Sequence, residues 1–131
     1  MLWRRLRDEH GQALIEGLLA LGLVMLVIAV GIQGFAYAHA RSIAITAAQD
    51  GADEAAMNGS DAGTAHALAL LKAAGGVGKP LTATTTINGS EVTVTVSGPP
   101  PRLFGLGLLV PNIAASASLP TENYGPDELA P

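Results

Sequence analysis

The side chains that could do chemistry centre on one carboxylate in an apolar setting near the N-terminus. Glu16 is the only Asp, Glu, Lys or Arg between His10 and Arg41. An ionised side chain inside a membrane is costly, so an intramembrane carboxylate indicates a function by default. The alternative is that Glu16 lies at the level of the lipid headgroups, where the cost is small. Its position alone leaves both interpretations open.

Other candidates for catalysis are scattered. His10, His39 and His66 lie on different segments, and no two have metal-ligand spacing within one element. Ser60 and Asp61 precede the third histidine, but these residue types are ordinary helix caps. The chain contains no cysteine, which excludes thiolate nucleophiles and thiolate metal sites. We therefore expect no enzyme activity, no cofactor and no metal site.

The charge distribution argues against nucleic acid as a partner. The net charge of the 131 residues is −4, and the chain after residue 40 has four basic residues against eight acidic ones. Without a basic patch, there is nothing to neutralise phosphates.

A long apolar segment predicts a membrane-spanning helix. The 24 residues from Gly17 to Ala40 carry no formal charge apart from histidine. As a helix they extend about 36 Å, enough to cross a hydrocarbon core of about 30 Å. Three arginines, Arg4, Arg5 and Arg7, precede the segment and place the N-terminus in the cytoplasm by the positive-inside tendency. We expect a single pass through the cytoplasmic membrane, with the remainder outside.

The helix is predicted to continue past the membrane as a stalk. The following residues are rich in alanine and contain no proline. The sequence predicts one helix from about Gln12 to about Met57, ending near Asn58-Gly59. One apolar stripe at helical spacing suits a face against other protein: Ile43, Ala47, Ala48 and Ala52.

The remainder predicts a small α+β head. A short helix, capped by Asp61 or Thr64, ends at Gly75. Period-two alternation then predicts strands over 81–87 and 92–96, joined by a hairpin turn at Asn88-Gly89. A third strand is predicted over 113–119. The fold class is thus a long N-terminal transmembrane and stalk helix, then a head with one short helix and an antiparallel sheet of about three strands.

Two segments after the hairpin are less regular. Residues 103–110 are apolar or glycine and far too short to span a membrane. They either fold under the hairpin as core, or present Phe104 and Leu108 to a partner or membrane lipid. The polar, proline-containing segment 122–131 is predicted to be a disordered tail.

The motif GQALIEG, residues 11–17, resembles the cleavage signal of type IV prepilins. The resemblance implies that a prepilin peptidase cuts between Gly11 and Gln12 and leaves a charged amine on Gln12. Glu16 would follow one helical turn later, where it matches the amine of its own or a neighbouring subunit and sets the register of assembly.

Within that superfamily, the sequence most resembles the TadE-like proteins of tight-adherence (Flp, type IVc) pilus systems, through GQALIEG, AAQDGADEAA and IAASASLPTE. This resemblance implies a minor pilin or pseudopilin that contacts other pilins through its N-terminal helix and a membrane assembly platform. The expected organisation is a cytoplasmic leader (1–11), a transmembrane and stalk helix (12–58), a head (59–121) and the tail.

Two alternatives remain open. The chain is a membrane-anchored protein with a small binding head that belongs to no filament, or a secreted domain. The latter follows from Ala38-His39-Ala40, which matches the small-residue pattern of ordinary signal-peptide cleavage after Ala40.

Overall fold

The computed structural model describes residues 2–75 and 80–121, and the predicted tail 122–131 lies outside them. The elements are α1 (Leu2–Asn58), α2 (Ser60–Ala74), β1 (Thr82–Asn88), β2 (Glu91–Gly98), a 3₁₀ turn (Leu106–Leu109) and β3 (Ile113–Pro120). The three strands form one antiparallel sheet in the order β1-β2-β3. The predicted α+β fold is confirmed.

The first helix is longer than expected at its N-terminal end. It begins at Leu2 instead of near Gln12, so the predicted leader is helical and continuous with the apolar segment. It ends at Asn58, where Gly59 takes a positive φ of 97° and turns the chain directly into α2. Glycine adopts this φ without strain, whereas a residue with a side chain would not, so Gly59 allows the helix to end after 57 residues.

The proposed caps of α2 are wrong. Gly59 is the N-cap residue, and no side chain bonds the first turn. Asp61 lies within that turn, where its carboxylate favours the positive end of the helix dipole. Thr64 lies a turn further on, and its hydroxyl donates instead to Oγ1 of Thr85 at 2.7 Å, which ties α2 to β1.

The two helices cross at a site built from glycine. A Cβ placed on Gly63 would lie 2.6 Å from the carbonyl oxygen of Gly51 and 3.0 Å from Cα of Ala55. A Cβ on Gly51 would lie 2.9 Å from Cβ of Ala67. Both glycines are buried, so the backbones approach as closely as they do because no side chain separates them.

The core is a row of small residues on α1 and α2 against the inner face of the sheet. The valines Val92, Val94 and Val96 of the central strand are fully buried, because β2 has a neighbour on each side and the helices on its inner face. The alanines that cover this sheet or pack between the helices are all buried: Ala44, Ala47, Ala48, Ala52, Ala55 and Ala67.

The alanine stripe of α1 therefore faces its own head and not another protein. Ala47, Ala48 and Ala52 are at most 1% exposed, whereas Ile43 at the edge of the stripe is half-buried. The outer half of α1, which the sequence predicts as a stalk, is thus also one layer of the head.

The hairpin turn falls one residue later than predicted. Asn88 and Glu91 are the last pair of the ladder, so the turn residues are Gly89 and Ser90. Of these two residues, only Gly89 has a positive φ, 65°. Glycine first in a two-residue turn is typical of type II′, whose twist matches that of the flanking strands.

Candidate processing site and exposed apolar surfaces

The N-terminal half of α1 stands clear of the rest of the fold. Every described side chain from residue 9 to residue 32 is exposed, apart from a half-buried Ala29. These include large aliphatic side chains such as Leu18 and Leu19, which are 70% and 71% exposed. Such a surface is unfavourable in water and indicates contact with lipid or with other helices.

The exposed half has the length of a membrane span. The 21 residues from Gln12 to Ile32 extend about 32 Å as a helix, against a hydrocarbon core of about 30 Å. By length and composition, α1 qualifies to cross a membrane, which is consistent with an anchor near the N-terminus.

The three residues of the predicted processing and pairing site lie together at the start of this half. Gly11, Gln12 and Glu16 are all exposed, and a Cβ on Gly11 would meet nothing within 4 Å. Positions 12 and 16 are four apart and therefore share one face of the helix. An amine on Gln12 and the carboxylate of Glu16 would be neighbours, and both are open to a second subunit.

The bond between Gly11 and Gln12 is within an unbroken helix. A peptidase that needs an extended substrate must unwind the turns around this bond. Glycine is about 1 kcal/mol less favourable than alanine in a helix interior, so Gly11 lowers the cost of that opening.

At the other end of the exposed half, Gln33 connects α1 to the head. Its side chain is 3% exposed and is the only buried polar side chain among those described. Its Nε2 donates to the carbonyl oxygen of Pro101 at 2.6 Å, and its Oε1 accepts from the backbone N–H of Leu103 at 2.9 Å. Both polar atoms of the amide are thus used to hold the segment that follows β2.

Gln33 is not among the predicted site residues, although the sequence carries a signal for it. It is the only polar side chain in the segment from Gly17 to Phe35. A lone polar residue in a membrane-length apolar segment indicates a specific partner. That partner, the backbone after Pro101, is 68 residues away in sequence, so only the fold could identify it.

The apolar segment 103–110 lies beside Gln33 with its largest side chains on the surface. Phe104 is 67% exposed, and Leu108 and Leu109 are each 83% exposed. These residues therefore add nothing to the core, whereas Leu103 and Leu106 are half-buried. Phe104 and Leu108 are not near Glu16, because Gln33 is 17 residues beyond it, about 26 Å along the helix.

An apolar groove of about 630 Å³ opens between the two helices and the same end of the sheet. Phe35, Ile43, Leu71 and Ile113 are among its lining residues, and Lys72 is its cationic member. The ring of Phe35 stacks on His39, with centroids 6.2 Å apart. The groove was not foreseen, because its walls come from segments distant in sequence.

Comparison with protein-family models, curated proteins and solved structures finds no match for this chain. The functional conclusion therefore depends on the residues and geometry described above.

Proposed function

We propose that this chain is a single-pass membrane subunit of a pilus or pseudopilus of the tight-adherence (Flp, type IVc) kind, processed by a prepilin peptidase after Gly11. In this proposal the N-terminus is cytoplasmic, the head is outside, and α1 later packs against the helices of other pilins. The partners are the peptidase, those pilins, the membrane assembly platform and lipid.

The observation that carries the proposal is the uncovered half of α1 with Glu16 near its start. A protein that only needed an anchor would require apolar residues there and no carboxylate. Glu16 is exposed one turn after Gln12, the position at which cleavage would create a positive charge. In an apolar assembly either charge alone is destabilising, and the pair is tolerated.

The decisive experiment is the N-terminal residue of the mature protein, determined by mass spectrometry on membrane and shed fractions. Cells with an active prepilin peptidase should yield a chain that starts at Gln12, and cells with an inactive peptidase a chain that starts at Met1. Gly11→Asp should abolish processing, whereas His10→Asp, with the same new charge one residue earlier, should be processed. A Gly11→Asp chain that is still cut at Gln12 contradicts the assignment.

A membrane-anchored protein with a binding head is the second candidate, and the apolar groove favours it. A cavity of about 630 Å³ is within the range of small-molecule sites. Full-length protein that persists in the membrane beside an active peptidase would support this candidate against the pilin.

A domain secreted by cleavage after Ala40 has less support from the contacts. Tyr37 and Ala40 pack against the core of the head, and Gln33 holds the backbone of Pro101 and Leu103. Cleavage after Ala40 would remove all three residues on α1 from the fold. A mature chain beginning at Arg41 would establish it nonetheless.

A further inference from the structure

From the loop beside Gln33 we infer that the head has a second membrane contact: residues 102–110 insert into the outer leaflet of the bilayer that α1 crosses. Phe104, Leu108 and Leu109 would enter the acyl-chain region, and the exposed Arg102 would remain at the phosphates. The inference rests on the anchoring part of the proposed function and adds a lipid-binding site outside α1.

The first argument is the level at which the loop is held. The two hydrogen bonds of Gln33 fix Pro101 and Leu103 beside the last turn of the exposed half of α1. The exposed stretch before Gln33 is as long as the hydrocarbon core is thick. If α1 spans the membrane through that stretch, the loop is at its outer boundary.

The second argument is that the loop extends toward the membrane from Gln33. The 3₁₀ turn packs against α1. Ala29, one turn nearer the N-terminus than Gln33, is half-buried, whereas the other described residues from 9 to 32 are exposed. Partial cover at Ala29 is what a loop that descends about one helical turn, 5.4 Å, below Gln33 would produce.

The third argument is the amount of apolar surface at this level. Leu108 and Leu109, at 83%, are the most exposed large apolar side chains that the structure describes, above even those of the membrane-length half of α1. Phe35, two residues beyond Gln33 on α1, is 74% exposed. An exposed apolar patch next to a membrane helix is most stable in contact with the same lipid. The long side chain of Arg102 can place its charge at the headgroups.

The sheet supplies a matched control at its other end. A Cβ on Gly51 would lie 3.3 Å from Cγ1 of Val94, so Val94 of β2 lies beside Gly51. Pro101, which follows β2, lies beside Gln33. The chain therefore approaches the proposed membrane level as it passes from Val94 to Pro101. Gln33 and Gly51 are 18 residues apart on α1, about 27 Å. Ile87, paired with Val92 near the hairpin, is half exposed and lies at the distal end.

The test uses the full-length chain in liposomes at low protein-to-lipid ratio, with a nitroxide spin label on one introduced cysteine. Since the chain has no cysteine of its own, each variant carries a single label. Three are needed: Leu108→Cys for the loop, Ile87→Cys for the distal head and Leu21→Cys for the span. Relaxation of each label is measured with oxygen, which concentrates in lipid, and with a water-soluble nickel chelate.

The inference expects the labels at Leu108 and Leu21 to be more accessible to oxygen than to nickel, and the label at Ile87 to show the reverse. A Leu108 label exposed to nickel beside a lipid-exposed Leu21 label would overturn the loop inference alone. A Leu21 label exposed to nickel would refute the membrane anchor itself. A Leu108 label shielded from both reagents would also overturn lipid contact and indicate a protein partner.

Discussion

Replacing Gln33 with methionine should release the loop after β2 without unfolding the head. Methionine keeps the length of the side chain but provides neither the donor for Pro101 nor the acceptor for Leu103. The buried carbonyl of Pro101 would then be unsatisfied, and the half-buried N–H of Leu103 would lose its acceptor. An unsatisfied buried group costs about 1–3 kcal/mol and loss of a hydrogen bond about 0.5–1.5 kcal/mol, so the two together should cost about 2 kcal/mol or more.

Hydrogen exchange followed by mass spectrometry measures this release on peptides that cover residues 102–110. A cost of about 2 kcal/mol corresponds to roughly 30-fold faster exchange through local opening, at 1.4 kcal/mol per factor of ten. Exchange in β2 should be unchanged, because Val94 and its neighbours are held by the sheet and both helices. Gln49→Met, an exposed glutamine on the same helix, is the control. Equal exchange of the loop in the two variants would refute the reasoning.

Three further substitutions test the crossing of the helices, the core and the assembly surface. Gly63→Ala should lower the melting temperature of the head, because overpacking costs about 1–3 kcal/mol, whereas Gly34→Ala, where a Cβ meets nothing within 4 Å, should not. Val94→Ala should cost about 2–3 kcal/mol in denaturant unfolding through the cavity it leaves, whereas Thr95→Ala on the exposed face should be near neutral. Glu16→Ala should leave membrane insertion intact in carbonate extraction but reduce pilus assembly, and normal piliation would contradict the pairing role.

Local patterns predicted most of the fold because each was strong over a short stretch. Alternation around Val92, Val94 and Val96 identified the central strand, and glycine identified both the end of α1 and the hairpin. The errors occurred where one residue type serves two purposes. Asp61 is a common cap, but Gly59 before it already provides the backbone geometry for the turn between helices, so no side-chain cap is needed.

The candidate site also combines residues whose relation follows from sequence spacing with residues that only the fold brings together. Gly11, Gln12 and Glu16 are within one helical turn and a half, so their shared exposed surface follows from spacing alone. The loop at Phe104 and its attachment to Gln33 join positions about 70 residues apart, and no periodicity relates them. The sequence alone does not decide whether segment 103–110 is core or exposed surface, because leucine and phenylalanine occur in both.

In the proposed function, the head lies directly beside the membrane span, and this placement affects assembly. With residues 33–58 built into the head, α1 has no spacer between the span and the folded domain. If α1 spans the membrane and the loop enters its outer leaflet as inferred, a subunit that leaves the bilayer must move Phe104, Leu108 and the exposed half of α1 out of lipid together. Moving each such side chain from full burial into water costs about 1.5–3 kcal/mol of free energy. Extraction is then favourable only where neighbouring subunits cover both surfaces at once, which couples departure from the membrane to entry into the filament.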